Sequence, residues 1–253
     1  MVSMSGVRLT ERISVVGGGA TGLGISHVLD PNVYLLSGGE ELALVDAGAG
    51  LGEDRILDNV RSLGYEPERI KHIFLTHAHA DHSGGAASLA ERLGAQVYLS
   101  ELEREALENA DEKALGLPIA RRNGYYPEDY RLRACKVDVA LQGDEKLRCG
   151  DLELLVIPTP GHSVGSVCFL VDTEEGVALF AGDTVFAGGR ISLIVAPGSN
   201  LLAMQGSVAY LGGLNVTSLL PGHGIFPLQG GQEHIDQAIE AFSTMLPPRS
   251  ILQ

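Results

Sequence analysis

Residues 74–86 read FLTHAHADHSGGA, and this stretch decides how the rest of the chain is interpreted. It ends an apolar run over residues 70–75 that is typical of a buried strand, and it leads into an alanine-rich segment typical of a helix. Imidazole and carboxylate groups, the ligands that zinc and similar cations prefer, crowd between positions 77 and 82. These residues are His77, His79, Asp81 and His82.

The spacing of these ligands predicts two neighbouring metal sites. His77 and His79 are two positions apart just past a strand, so their side chains project to the same side and can chelate one ion. Asp81 and His82 fall where the chain turns into the next helix, and they suit a second ion. Two cations about 3.5–4 Å apart form the clamp of two-metal hydrolases. A polar turn that only capped a helix would need one such side chain rather than four.

Three later strand-like runs also end in ligand-type residues. Each of these residues follows an apolar run and lies among small residues, as in sites built on the edge of a sheet. One of them alone is weak support, because a histidine after a Pro-Gly turn is usually structural. The three are His162 in TPGHS, Asp183 in AGDT and His223 in PGHG. The histidines at positions 27, 72 and 234 have no such setting, and we predict no chemistry for them.

Asp46 ends a hairpin predicted over residues 33–36 and 42–45. Two interpretations of it are open. A turn aspartate often bonds its own backbone. Alternatively, its carboxylate steadies the histidine loop from outside the metal site.

The glycine-rich run GGGATGLG matches a dinucleotide-binding spacing through Gly17, Gly19 and Gly22. That motif needs a full helix after the glycines and an acidic residue about 20 positions later. Here Pro31 interrupts the would-be helix, so we expect a flexible hairpin loop instead.

The remaining pattern predicts an α/β protein with helices packed on the outer faces of its sheets. We expect one domain over residues 1–253 with a helical insertion at about 101–133. The insertion is either a solvated segment or a lid whose Tyr125 and Tyr126 contact substrate. Strands are predicted at 9–16, 96–99, 136–141, 152–157, 167–171, 177–181 and 216–220, and helices at 53–63, 86–93, 200–211 and 231–245.

Composition narrows the class of protein. A formal net charge of −14 argues against nucleic acid or an anionic membrane as a partner, because phosphate neutralisation needs clustered Lys and Arg. The N-terminus lacks an apolar signal region, and no apolar run is long enough to span a membrane. Three dispersed cysteines fit a reducing compartment. We therefore expect a cytoplasmic protein with a small-molecule substrate. Both a monomer and a homo-oligomer are compatible with the sequence.

The motifs THAHADH, PGHS, GDT and PGHG, in this order, resemble those of metallo-β-lactamase-fold hydrolases. The resemblance implies an αββα sandwich of two mixed sheets flanked by helices. It also implies a complete dinuclear site, with Asp46 as the acidic residue that precedes the histidine motif. In that site His77, His79 and His162 hold the first metal, Asp81, His82 and His223 hold the second, and Asp183 bridges the two.

Within this family, GDTVFAGG resembles the corresponding run of hydroxyacylglutathione hydrolase (glyoxalase II). That enzyme continues into a helical glutathione-binding extension, whereas only thirty residues follow His223 here. Lactonases of the family place a tyrosine three positions after the bridging aspartate, where this chain has Phe186. The candidate substrate-binding residues are Phe186, Arg190, Ile191 and Leu193, together with Tyr125 and Tyr126.

The resemblance implies two divalent ions, zinc first, with iron or manganese as alternatives. A water shared by two such ions ionises near pH 7. The hydroxide would attack an ester, thioester or lactone carbonyl, and Asp81 would help to protonate the leaving group. A second reading is a persulfide dioxygenase of the same fold, in which His77, His162 and Asp183 hold one iron.

Overall fold

The computed structural model describes residues 5–244 and 247–251. Two mixed β-sheets face each other, and helices cover both outer faces. This is the αββα sandwich that the family resemblance implies. Within the described part of the chain, every helix is too short or too polar to cross a membrane.

The first sheet has seven strands in their order along the chain. They are β1 (Val7–Arg8), β2 (Ile13–Gly17), β3 (Val33–Gly38), β4 (Glu41–Val45), β5 (Ile70–Phe74), β6 (Gln96–Ser100) and β7 (Val139–Leu141). Neighbours from β1 to β4 are antiparallel, and neighbours from β4 to β7 are parallel.

The second sheet has five strands. They are β8 (Lys146–Cys149), β9 (Leu152–Pro158), β10 (Val167–Thr173), β11 (Gly176–Gly182) and β12 (Ser218–Pro221). Their spatial order is β12-β11-β10-β9-β8, and only the β11–β12 pair is parallel.

Seven α-helices complete the described fold. They are α1 (Glu53–Ser62), α2 (Ala80–Ser83), α3 (Ala86–Leu93), α4 (Glu101–Glu108), α5 (Leu117–Arg122), α6 (Leu201–Tyr210) and α7 (Gly231–Ser243). The amphipathic helices α1, α3 and α4 pack on the first sheet, and α7 packs on the second together with α6. The predicted end of the last helix at Met245 lies outside the described residues.

Strand periodicity sorts the apolar side chains into three cores. In β3, Val33 and Leu35 point into the core beneath the helices, whereas Tyr34 and Leu36 point into the core between the sheets. In the second sheet, Phe169 faces the first sheet and Cys168 faces the core under α6 and α7. The three cysteines are buried and free.

Two predicted strands differ from the structure. The run at 9–16 is a strand only from Ile13, because residues 9–12 form the turn between β1 and β2, and the run at 136–141 is a strand only over Val139–Leu141. Before that strand the backbone is hydrogen-bonded outside the regular ladder of the sheet. The Val137 amide donates to the Glu108 carboxylate, the Asp138 amide donates to the Val97 carbonyl, and the Val97 amide donates to the Asp138 carboxylate. Strand β8 was not predicted: its residues alternate between exposed and buried, but a run of four is too short for that alternation to identify a strand.

The glycine-rich run is a loop, as expected. Strand β2 ends at Gly17 and pairs antiparallel with β3, so the two strands are joined by residues 18–32 with no helix between them. A dinucleotide-binding unit needs a parallel crossover through a helix, and this segment does not provide one.

Candidate metal centre

The seven predicted ligands come from four segments that follow strands β5, β9, β11 and β12, and two of them, Asp81 and His82, lie in the short helix α2. In the second sheet β11 and β12 are parallel, and two antiparallel steps make β9 run the same way as β11. In the first sheet β4 and β5 are parallel, so Asp46 and the histidine loop also leave from one edge. Strand ends that point the same way bring residues distant in sequence to one rim of the sandwich.

The first cluster consists of His77, His79 and His162, whose candidate ligand atoms all lie within 4.8 Å of one another. The Nδ1 atom of His79 is 2.9 Å from the Nε2 atom of His162. His77 and His162 are buried, and His79 is half-buried. This is the trio that the resemblance assigns to the first metal.

The second cluster consists of Asp81, His82 and His223, and its ligand atoms meet the same distance limit. The Oδ2 atom of Asp81 lies 3.2 Å from His223 Nε2 and 3.7 Å from His82 Nε2. The two imidazole Nε2 atoms are 3.3 Å apart. One oxygen and two nitrogens therefore converge on one point.

Asp183 lies between the clusters. Its Oδ2 atom is 3.5 Å from His162 Nε2, and its Oδ1 atom is 3.5 Å from His82 Nε2. One carboxylate thus faces a ligand of each trio. Gly222 makes this approach possible, because a Cβ atom there would lie 2.6 Å from Asp183 Oδ1.

The environment favours neutral imidazole at the first cluster. Burial lowers the pKa of His77 and of His162 well below the usual value, and neighbouring histidines lower it further. At His82 burial also lowers the pKa, but the carboxylates of Asp46, Asp81 and Asp183 outweigh it and raise the pKa to about 10. A divalent cation favours the unprotonated ligand at every one of these positions.

The residues fit divalent cations. The buried atoms His77 Nε2 and Asp183 Oδ1 have no hydrogen-bond partner among the described residues. An unpaired buried polar atom costs free energy unless something binds it. Both atoms belong to the converging groups, and imidazole nitrogen with carboxylate oxygen is the donor set of zinc and related metals.

Asp46 lies directly behind the ligands. Its Oδ1 atom accepts a hydrogen bond from the Thr76 amide at 2.8 Å, and its Oδ2 atom is 2.7 Å from His82 Nδ1. Thr76 Oγ1 in turn lies 3.0 Å from His77 Nδ1. Asp46 has a φ of 63°, a strained conformation for a residue with a side chain. The carboxylate is therefore placed as the sequence hypothesis of a steadying residue requires.

Sequence reasoning missed Thr21. This residue lies in the glycine-rich loop, and its Oγ1 atom is 3.0 Å from His223 Nδ1. In the same loop, the Thr21 carbonyl accepts a hydrogen bond from the Gly224 amide, and Asn32 Nδ2 donates one to the Pro221 carbonyl. The loop thus supports the turn that carries His223.

Tyr125 and Tyr126 of the insertion lie against Asp81. The Tyr126 hydroxyl donates to Asp81 Oδ1 at 2.8 Å, and the Tyr125 hydroxyl donates to Oδ2 at 3.1 Å. Tyr126 is buried, whereas Tyr125 is 41% exposed. The Asp81 carboxylate is the main cause that raises the pKa of Tyr125. Burial is the main cause that raises the pKa of Tyr126, and Asp81 is the second cause, so both phenols stay protonated.

The other candidate substrate residues follow Asp183. Phe186 is 2% exposed, and its amide donates to the Arg190 carbonyl in a short antiparallel bridge. Arg190 is exposed. Ile191 and Leu193 pack into the core beneath α6 and α7. Their contact with substrate stays a prediction.

Comparison with known proteins agrees with this geometry. The family model of the metallo-beta-lactamase superfamily matches residues 28–223. A hydroxyacylglutathione hydrolase of Anaeromyxobacter dehalogenans is 36% identical over 160 residues, which are 63% of this chain and 48% of that protein. The acyl-coenzyme A thioesterase MBLAC2 of Bos taurus is 30% identical over 213 residues, 76% of this chain and 72% of that protein.

The chain spans 65% of the length of another relative, the uncharacterized protein YobT of Bacillus subtilis, which is 34% identical over 163 residues. Among solved structures, BJP-1, a subclass B3 metallo-beta-lactamase of Bradyrhizobium japonicum, matches with a TM-score of 0.72 and 23% identity. The match covers 95% of this chain and 91% of BJP-1. The family model shows that the chain belongs to the metallo-β-lactamase superfamily, and both its fold and its histidine–aspartate cluster, which could hold divalent metal ions, agree with that membership.

Proposed function

We propose that this protein is a dinuclear metal-dependent hydrolase that cleaves an ester, thioester or lactone bond of a small-molecule substrate. The observation that carries the proposal is the position of Asp183, whose two oxygens face His162 of one trio and His82 of the other. A carboxylate between two complete ligand trios is the arrangement expected of a paired metal site.

Two divalent ions, zinc first with iron or manganese as alternatives, would supply an ionised water near neutral pH and a Lewis acid for the carbonyl oxygen. The chain's own residues prepare that site. Burial keeps His77 and His162 neutral and able to bind through a lone pair. Asp46, Thr76 and Thr21 fix the rings of three ligands by contacts to their Nδ1 atoms, at His82, His77 and His223 respectively.

Asp81 is the candidate for proton transfer. Burial raises the pKa of its carboxyl, but the histidines around it outweigh burial and hold the pKa well below its usual range. The group is therefore ionised, so it would first take a proton from the attacking water and would then pass that proton to the leaving group. An Asp81→Asn variant that keeps both metals and full activity would remove this role.

Tyr125 is placed to contact the substrate. Its phenol is protonated, partly exposed and adjacent to the oxygen of Asp81 that faces His223. We propose that it gives up its bond to Asp81 and donates its one hydrogen bond to the substrate oxygen that gains charge, the function that a tyrosine in place of Phe186 serves in the lactonases. Tyr126, being buried, holds Asp81 rather than the substrate.

Thioesters are the substrates to test first. The relative with the larger coverage is named an acyl-coenzyme A thioesterase, and the chain spans 72% of its length. The short match to hydroxyacylglutathione hydrolase, 48% of that protein, supports the chemistry of the site more than recognition of its substrate.

The test is one panel of an acyl thioester, a lactone, a phosphoester and a β-lactam, assayed on protein whose metal content is measured in the same sample. We expect two metal equivalents per chain and thioester or lactone hydrolysis that Asp183→Asn abolishes. Glu175→Gln, an exposed carboxylate in a hairpin turn, serves as the matched control. One iron per chain with oxygen consumption would contradict the proposal and support the dioxygenase reading.

A further inference from the structure

Glu103 is a buried carboxylate that belongs neither to the ligands nor to the residues behind them. It lies in the first turn of α4 and is 3% exposed. The run Ser100–Glu103 has the spacing of a capping box, in which the glutamate would bond to the amide that begins its own helix. Instead, Glu103 Oε2 accepts a hydrogen bond at 2.8 Å from the amide of Ala78.

Ala78 is the residue between the first two histidine ligands. Its carbonyl accepts the Ser83 hydroxyl at 2.9 Å, so both sides of its peptide backbone are held. Glu103 accepts the hydrogen bond from the amide, and Ser83 donates the one to the carbonyl. This contact therefore fixes the segment from which His77 and His79 project.

The same carboxylate also faces the loop that carries His162. Polar interaction with the Ser163 side chain and the Gly165 amide partly offsets the effect of burial on the pKa of Glu103. The fit at Gly165 is close, because a Cβ atom there would lie 2.7 Å from Glu103 Cγ. Glu103 thus spans two loops that are more than eighty residues apart in sequence.

A purely structural role does not explain a carboxylate here. Burial raises the pKa of Glu103, which shows that the ionised form is disfavoured at this position. An apolar residue would fill the space beneath α4 without that cost, but it would leave the buried Ala78 amide unpaired. The geometry therefore selects a side chain with two acceptor oxygens.

We propose that Glu103 is a positioning residue that sets the geometry of the three-histidine metal site by holding the His77–His79 segment and the His162 loop with one carboxylate. The inference rests on the proposed dinuclear site. His79 and His162 approach within 2.9 Å from these two loops, and a small shift of either loop changes the separation of their ligand atoms.

The test compares Glu103→Gln with Glu108→Gln. A glutamine at 103 keeps the size of the side chain but has only one acceptor oxygen, so either the Ala78 or the Gly165 amide faces an NH2 group. Glu108 is the matched control, since it lies on the same helix and accepts the Val137 amide at 3.1 Å away from the ligand loops. Ser163→Ala, which removes a hydroxyl that also pairs with Ser166 Oγ at 2.8 Å, is the milder second variant.

Metal binding is the readout. Zinc dissociation constants are measured by competition with a chromogenic chelator, and the visible spectrum of the Co²⁺-loaded protein reports ligand geometry. We expect Glu103→Gln to weaken one of the two metal equivalents about ten- to hundredfold and to change the Co²⁺ spectrum, with Ser163→Ala intermediate and Glu108→Gln like the wild type. Circular dichroism confirms that each variant is folded.

The outcomes separate the two proposals. If the wild-type protein binds two metals and Glu103→Gln has the same zinc affinities and the same Co²⁺ spectrum as the wild type, the positioning role is overturned. The proposed function is then unaffected. If Glu103→Gln is unfolded, an unchanged spectrum and affinity in Ser163→Ala would overturn it. Wild-type protein that binds no metal would overturn the proposed function and this inference with it.

Discussion

Asp46 Oδ2 lies 2.7 Å from Nδ1 of His82, a ring that is fully buried and whose Nε2 atom faces both Asp81 and Asp183. The carboxylate therefore holds the outer nitrogen of His82 as a donor and leaves Nε2 free to bind a metal. The strained backbone of Asp46, with φ at 63°, shows that the surrounding structure maintains this contact.

We expect Asp46→Asn to weaken binding of the second metal about ten- to hundredfold, because an amide fixes the His82 tautomer less firmly. Zinc titration against a chelator measures the change. Asp138→Asn is the control, since its carboxylate accepts the Val97 amide at 3.1 Å in a part of the first sheet remote from the ligands. Equal zinc affinities in the two variants would show that Asp46 does not support His82.

Thr21 gives a second prediction. Its hydroxyl lies 3.0 Å from His223 Nδ1, so Thr21→Val removes the contact while keeping the shape of the side chain. A neutral hydrogen bond is worth about 0.5–1.5 kcal/mol, and we expect metal affinity at the second site to fall by up to about tenfold. Thr173→Val, which loses a hydroxyl bond to the Gly176 carbonyl in a distant hairpin, should leave metal affinity unchanged.

The contrast between Asp46 and Thr21 shows how far sequence reasoning reaches. Asp46 follows a recognisable strand and is a residue type with an evident use, so a position behind the histidine loop was one of the two interpretations that the sequence offered. Thr21 lies in a loop whose glycines only indicate irregular backbone. Its contact with His223 joins residues about two hundred positions apart, and it depends on how that loop folds over the rim.

Glu103 was missed for a different reason. Local sequence assigns it a sufficient role in capping α4, and only the packing of that helix against the histidine loop diverts the side chain to Ala78. The candidate ligands were recognised because four of them crowd into one short stretch between positions 77 and 82. Short strands such as β8 carry no comparable signal, since their pairing depends on neighbours elsewhere in the sheet.

Tyr125 and Tyr126 differ in burial, so we expect their substitutions to affect stability and activity differently. Tyr126→Phe leaves the buried Asp81 Oδ1 without its donor, so we expect a loss of about 1–3 kcal/mol in the free energy of unfolding. Tyr125→Phe removes a donor from a partly exposed site and should cost less stability but lower kcat more than it changes KM. Chemical denaturation and steady-state kinetics measure the two effects. If Tyr125→Phe had wild-type kcat, its phenol would have no part in the reaction.

Metal removal should destabilise the whole sandwich. The ligands come from both sheets, and bound cations compensate the buried carboxylates of Asp81 and Asp183. Zinc at a thousand times its dissociation constant adds about 4 kcal/mol to the free energy of unfolding. Since each kcal/mol shifts Tm by about 2–4 °C in a chain of this size, we expect a chelator to lower Tm by roughly 10 °C and added zinc to restore it.

Asp183→Asn is the comparison, because it keeps both trios but loses the charge between them. Its zinc-dependent rise in Tm should be clearly smaller, and a rise equal to that of the wild type would mean that Asp183 does not join the two sites.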